Sequence, residues 1–152
     1  MPFPITHKCD IYSFGMLLFE IIGRRRNMDE TLGDSQQWFP VWAWDKYEKK
    51  QLNDLMIVCS IEEEDQKVVE RMVKVALCCV QYKPKNRSVM SIVVKMLEGA
   101  LEIPEPLNPF SHLFPRVDGV DISYLMVKLV YLFENYVIYM GILDMTSKTI
   151  VG

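Results

Sequence analysis

Apolar residues recur at helical spacing through HKCDIYSFGMLLFEIIGRRRN, residues 7 to 27. Ile11, Phe14, Leu18, Ile21 and Ile22 follow the helical period, and Met16, Leu17 and Phe19 fill much of the remaining circumference over residues 9 to 22. A helix apolar nearly all round belongs in the middle of a protein. Thr6 suits its N-cap and Gly23 its C-cap. Arg24, Arg25 and Arg26 then open a polar loop, expected to be solvated, that runs to Ser35. Gln36 to Lys50 predicts a second helix carrying Trp38, Trp42 and Trp44, which read as packing residues. Pro40 fits there only in the first turn.

The pattern is clearest in the third helix. Ser60 and the acidic run Glu62 to Asp65 suit a helix start. Val69, Met72, Val73, Ala76 and Val80 form one apolar face, and Pro84 marks the end. A fourth helix spans about Ser88 to Glu98, with Met90, Val93, Val94 and Leu97 predicted inward and Gly99 beyond its end. Leu101 to Pro109, with Pro104, Pro106 and Pro109, is predicted extended. Residues 122 to 143 are strongly apolar and predict one helix, but Lys128, Glu134 and Asn135 interrupt them. Such groups are expensive in lipid, so membrane insertion is the least favoured fate of this segment. The fold class predicted is mainly α with an apolar C-terminal helical tail.

A length of 152 residues suits one domain. The net charge of -3 lacks the basic footprint of a nucleic-acid-binding surface. Cys9, Cys59, Cys78 and Cys79 form no CxxC pair, and adjacent cysteines on a helix point in different directions. Neither a disulfide framework nor a zinc site is expected, and a reducing, intracellular setting is. Met1 to Thr6 does not open a signal peptide. His7 and His112 are single and lack a Ser or Cys arrangement around them, so no chemistry is assigned to them.

The opening motif Asp10-Ile-Tyr-Ser-Phe-Gly15 carries a resemblance, together with SQQWFPVW, ERMVKVALCCVQYKPKNRSVMSIVVKMLEG and LEIPEPLNPF. In this order they resemble the distal, helical C-terminal half of a protein-kinase large lobe. The likeness is to plant receptor-like serine/threonine kinases of the rust-resistance and thaumatin-like receptor group. It covers residues 6 to 110 as a partial kinase domain and leaves 111 to 152 as a divergent tail. The resemblance implies that Asp10 begins the central helix and accepts hydrogen bonds from the catalytic loop. Leu17 and Ile21 match positions beneath the adenine-side apolar stack, and Glu20 one that faces substrate peptide in some kinases. Arg87 matches the arginine that pairs with the Glu of an Ala-Pro-Glu segment. Family members usually follow that arginine with proline; Ser88 stands here instead and suits a helix cap.

The same family needs ATP, magnesium, a Gly-rich loop, a strand lysine, and HRD, DFG and APE motifs. The glycines lie at 15, 23, 33, 99, 119, 141 and 152, so no GxGxxG exists, and no HRD, DFG or APE is present. Phosphoryl transfer by this chain alone is therefore not expected, and no cofactor or metal is assigned to it. Asp10 and Arg87 are expected to be solvated or differently paired, because unpaired buried charge is costly. The central helix should likewise be left partly bare or be covered by something else. Three functions compete: a truncated receptor-like kinase, a non-catalytic module that binds another kinase or a protein substrate, and a membrane-associated protein using residues 122 to 143. Intact relatives are plasma-membrane proteins with the kinase on the cytoplasmic side, which sets the expected location.

Overall fold

A computed structural model describes residues 7 to 113. It divides into two units, Met1–His112 and Leu113–Gly152. The apolar segment 122 to 143 and the Thr6 cap lie outside the described residues. The first unit is mainly α. It comprises α1 (His7–Gly23), α2 (Phe39–Glu48), α3 (Leu52–Val58), α4 (Gln66–Cys79) and α5 (Met90–Leu97), with short 3-10 turns between them. Among the described residues the sole β-type pairing is an antiparallel bridge between Met28 and Trp38. None of the described helices is long and apolar enough to cross a membrane.

The packing centres on α1 against α4. Ile11, Phe19 and Ile22 of α1 and Val73, Val75, Ala76 and Leu77 of α4 are all buried. The two helices come close because Gly15 has no side chain. A Cβ there would lie 2.7 Å from Cys79 Cβ and 2.8 Å from Val80 Cγ1. Aromatic edges extend the core from α1 into α2. Phe19 meets Phe39 with ring centroids 6.2 Å apart, and Phe39 meets Trp42 at 5.7 Å. The predicted packing role of the tryptophans holds for Trp38 and Trp42, which are buried, while Trp44 is half-buried.

Several boundaries differ from the sequence prediction, each for a local reason. Helix α2 starts at Phe39 rather than Gln36, because Trp38 is extended and Pro40 occupies the first turn. Helix α3 is an addition. Its Leu55 and Met56 are buried while Ile57 and Val58 are exposed, so its seven residues show no helical stripe. Ser60 closes α3 with a left-handed φ of 54°, its N–H donating to Ile57 O at 3.1 Å, and does not open the next helix. The acidic run instead forms a 3-10 turn at Glu63–Asp65 that leads into α4.

At the other end of α4, Gln81 Nε2 donates to Leu77 O at 2.9 Å and to Leu107 O at 2.8 Å. This lays the proline-rich segment along the helix as a non-helical strap, as its prolines predict. The strap and α1 flank α4, and so Cys78 and Cys79 are buried along with Val69, Val73, Ala76 and Val80 of the predicted stripe, while Met72 is only half-buried. In α5 the prediction fails for two residues. Val93 and Met96 are buried, but Met90 and Val94 are exposed. Val89, not Ser88, occupies the N-cap, with no side-chain cap hydrogen bond. Gly99 does end α5. With φ at +79° it lets Ala100 N–H reach Lys95 O at 2.8 Å. Gly23 acts differently: the left-handed residue after α1 is Arg24 (φ 52°), and Gly23 makes room for the Phe39 ring, 3.0 Å from where a Cβ would sit.

All four cysteines are free. Burial pushes the thiols of Cys78 and Cys79 up to about 11 and about 12, and raises Cys59 as well. At pH 8 the native protein should therefore expose Cys9 first to a thiol reagent, with the other three reacting only after denaturation. The unfolded chain loses thiol protons from about pH 8.5, whereas the native one keeps them. Stability should fall as pH rises from about 9 towards 11. Urea midpoints at pH 8 and pH 10 check the sign.

Candidate functional site

The surface and core of α1 separate cleanly around the helix. Ile11, Gly15, Met16, Leu18, Phe19 and Ile22 are buried. Residues 10, 14, 17 and 21 fall on the opposite side, within about 40° of one line at 100° per residue. Asp10 is exposed, Phe14 half-buried, and Leu17 and Ile21 are 51% and 55% exposed. The apolar circumference thus does not bring full burial: one stripe of α1 is left open. The Asp10 carboxylate makes no hydrogen bond or ion pair among the described residues.

Glu20 sits on the flank of this stripe and finishes the helix. Its carboxylate accepts the N–H of Asn27 at 3.2 Å, and Asn27 Nδ2 donates to Met16 O at 2.9 Å. The chain leaving α1 is thereby folded back on its own last turns. Arg24 and Arg26 are exposed, as expected of a solvated loop, but Arg25 is not a bystander. Its guanidinium donates to Arg26 O at 3.0 Å and Gln36 O at 2.5 Å and lies 5.2 Å from the Phe39 ring centre. Burial pulls its pKa downward, partly offset by Asp29.

Arg87 is fully engaged at the opposite end of α1. Its Nε donates to Gln81 O at 2.7 Å, Nη1 to Lys8 O at 2.9 Å and Nη2 to Tyr82 O at 3.2 Å. The guanidinium stacks over Tyr12, 4.8 Å from the ring centre. The Lys8 ammonium donates in return to Arg87 O. Arg87 is thus differently paired, one of the two outcomes anticipated, and backbone carbonyls are the acceptors.

Of the five residues singled out in the sequence, Asp10, Leu17 and Ile21 share the open stripe, Glu20 flanks it, and Arg87 pins its helix from the end. The sequence reasoning missed Gly15, Tyr12, Asn27 and Gln81. Gly15 alone left a signal, as a glycine inside a helical pattern. Elsewhere an open cleft of about 480 Å3 is lined by Trp44, Tyr47, Glu70, Lys74 and Glu105 among others. Tyr47 donates to Glu105 at 2.5 Å, and burial and that carboxylate together raise the phenol's pKa. No group of His, Cys, Asp and Glu among the described residues is placed to hold a metal ion.

The exposure of Asp10 fixes what its loss should do. Asp10→Ala should change stability by less than about 1 kcal/mol, the scale of a carboxylate in a helix's first turn. Urea denaturation checks it. A loss above about 2 kcal/mol would reveal a desolvated partner.

No family model matches the chain. Curated proteins do. A G-type lectin S-receptor-like serine/threonine-protein kinase of Arabidopsis thaliana is 39% identical over 108 residues, 70% of this chain and 13% of the relative. A rust resistance kinase of Triticum aestivum is 37% identical over 108 residues, 70% of this chain and 17% of that one. A leaf rust 10 disease-resistance locus receptor-like protein kinase-like protein of Arabidopsis thaliana is 32% identical over 128 residues, covering 82% and 20%. The chain is related to plant receptor-like kinases. The relationship read from the ordered motifs therefore stands, and it includes rust-resistance kinases. The chain spans between 13% and 20% of the length of these three relatives.

Proposed function

We propose that residues 6 to 110 are the distal part of a receptor-like kinase large lobe, and that this chain alone does not transfer phosphate. The observation that carries this is the juxtaposition at α1. The motif's Asp10 faces outward on an open apolar stripe, while Gly15 and Arg87 lock the helix to α4 and the turn after it. This supports reading α1 as a central helix with one side given to partners outside the described residues. The chemistry of the relatives needs phosphate- and magnesium-binding motifs that this sequence does not contain. ATP and magnesium are accordingly assigned to the intact relatives and not to these residues. The location that goes with this reading is the cytoplasmic side of the membrane, and the partner class is protein: another kinase or a protein substrate. Calorimetric titration with Mg-ATP tests the reading, and no saturable heat is expected. A saturable site of micromolar affinity, or phosphate incorporated into a basic protein substrate, would overturn it.

A further inference from the structure

The cleft between α2, α3, α4 and the strap has about 480 Å3 of open volume and takes no residue from α1. That volume lies within the range of roughly 300 to 1,000 Å3 found for sites that hold small ligands. Helix α2 supplies two adjoining aromatic walls. Trp44 and Tyr47 are both half-buried, with ring centroids 5.8 Å apart and planes inclined by 40°. The strap supplies a carboxylate. Glu105 is exposed, and Tyr47 donates to its Oε1 at 2.5 Å, which leaves Oε2 for another donor. The raised pKa of the phenol keeps it a donor at neutral pH. On either side of Glu105 the strap is tied to α4 and the residue that follows it. The Cys78 thiol lies 3.6 Å from Pro104 O, and Gln81 Nε2 donates to Leu107 O at 2.8 Å.

The charges around these rings sort by pairing. Lys74 is taken by Glu70, one turn away on α4, at 3.1 Å. On α2, Lys46 is taken by Asp54 at 3.0 Å and Lys49 by Asp45 at 2.7 Å. Glu48 and Glu105 then stand at the rim against Lys50, and all three are exposed. The local excess is negative, beside two ring faces that are themselves electron-rich.

We propose that this cleft binds an arginine side chain carried by a segment of a partner protein. A guanidinium is planar and weakly hydrated, so it can lie on the Trp44 face while its fork of donors reaches Glu105. A lysine ammonium is compact and more strongly hydrated, and it gains less from a flat wall. An anion would meet Lys50 in company with Glu48 and Glu105. Because the strap already holds Glu105 in place, binding need not order that segment. The rim is open to water, so a short ligand should bind weakly, with a dissociation constant on the order of 1 mM. The proposal adds a surface to the protein-partner reading and does not rest on the kinase relationship.

Nitrogen-15 NMR of the full 152-residue chain, titrated with a blocked tri-arginine peptide at low salt, is the test. The Trp44 indole signal, identified by its loss in Trp44→Phe, should shift and saturate together with amides near residues 47, 70 and 105. Blocked tri-lysine should bind about threefold more weakly or worse, because it carries the same charge without the flat cation. Glu105→Gln should weaken tri-arginine about threefold or more, with the melting temperature unchanged since this side chain is exposed. Trp44→Leu should weaken it about fivefold or more. An unmoved Trp44 indole at about 10 mM peptide, ten times the expected dissociation constant, would overturn the proposal. Equal affinity for tri-lysine would overturn it by showing general attraction to an acidic chain. Shifts confined to the acidic run at residues 62 to 65 would place the cation elsewhere and overturn it too, as would a saturable shift of the same indole by inorganic phosphate in place of tri-arginine.

Discussion

Gly15→Ala should destabilise the chain by about 1 to 2 kcal/mol net, and Gly15→Val by more. The new methyl would arrive 2.7 Å from Cys79 Cβ, 2.8 Å from Val80 Cγ1 and 3.1 Å from Ala76 O. Two of those atoms are a Cβ and a backbone oxygen, fixed to α4 itself, so no rotamer change can yield space. The helices would have to move apart along the largest contact in the unit. Overpacking of this kind costs about 1 to 3 kcal/mol and sometimes more. The gain in helix propensity from replacing glycine with alanine, about 1 kcal/mol, works against that loss. The steric term wins because α4 is itself enclosed between α1 and the strap. In a unit of this size the loss should lower the melting temperature by about 5 to 15 °C. Gly33 is the internal control. A Cβ there meets nothing within 4 Å, and the residue's φ of -61° suits any side chain. Gly33→Ala should leave the melting temperature unchanged or raise it slightly. Thermal denaturation of the two variants side by side decides the matter.

Arg87→Ala should cost about 2 to 3 kcal/mol for a different reason. The substitution removes a cation that satisfies the carbonyls of Lys8, Gln81 and Tyr82, and a stack over Tyr12. Hydrogen bonds to charged groups are worth about 1.5 to 3 kcal/mol each when desolvated. Arg87 is only half-buried, so water recovers part of the loss. Arg87→Lys should recover less than half of the effect, because an ammonium cannot reach three divergent carbonyls or lie flat on a ring. Urea denaturation gives the energies. Hydrogen exchange supplies the local signature: amides in the first turns of α1 should lose protection more than those of α3.

Part of this architecture was legible in the sequence. Helices α1 and α4 were legible because each carries a long run of apolar residues at a clear period. Gly99 was legible because a glycine just past a helical stripe has one common use. Helix α3 was not, since a seven-residue helix with two exposed apolar residues at its end looks like neither a stripe nor a loop. In α5, MSIVVKML is apolar at six of eight positions, so periodicity could not choose between Met90–Val94 and Val93–Met96 as the inner face. Arg87 was recognisable as a residue of consequence, but its partners are main-chain carbonyls, which every residue offers. The open stripe was foreseeable only in outline: composition said that α1 had more apolar surface than one neighbour could cover, and α4 took the side bearing Gly15.

The exchange of hydrogen bonds between Lys8 and Arg87 joins points 79 residues apart, and that separation has a consequence for synthesis. Closing a loop of this length costs on the order of 4 kcal/mol before any contact rewards it. Helices α2 and α3 pair with near neighbours and can form while the loop is still open. Helix α1 cannot settle so early, because the faces that cover Phe19 and Ile22 come largely from residues made later. It leaves the ribosome some eighty residues ahead of its clasp, at the measured separation of 79. At about 5 to 20 residues per second, that leaves the longest helix of the unit uncovered for several seconds. During that interval the nascent chain presents to chaperones the helix that the finished unit half conceals.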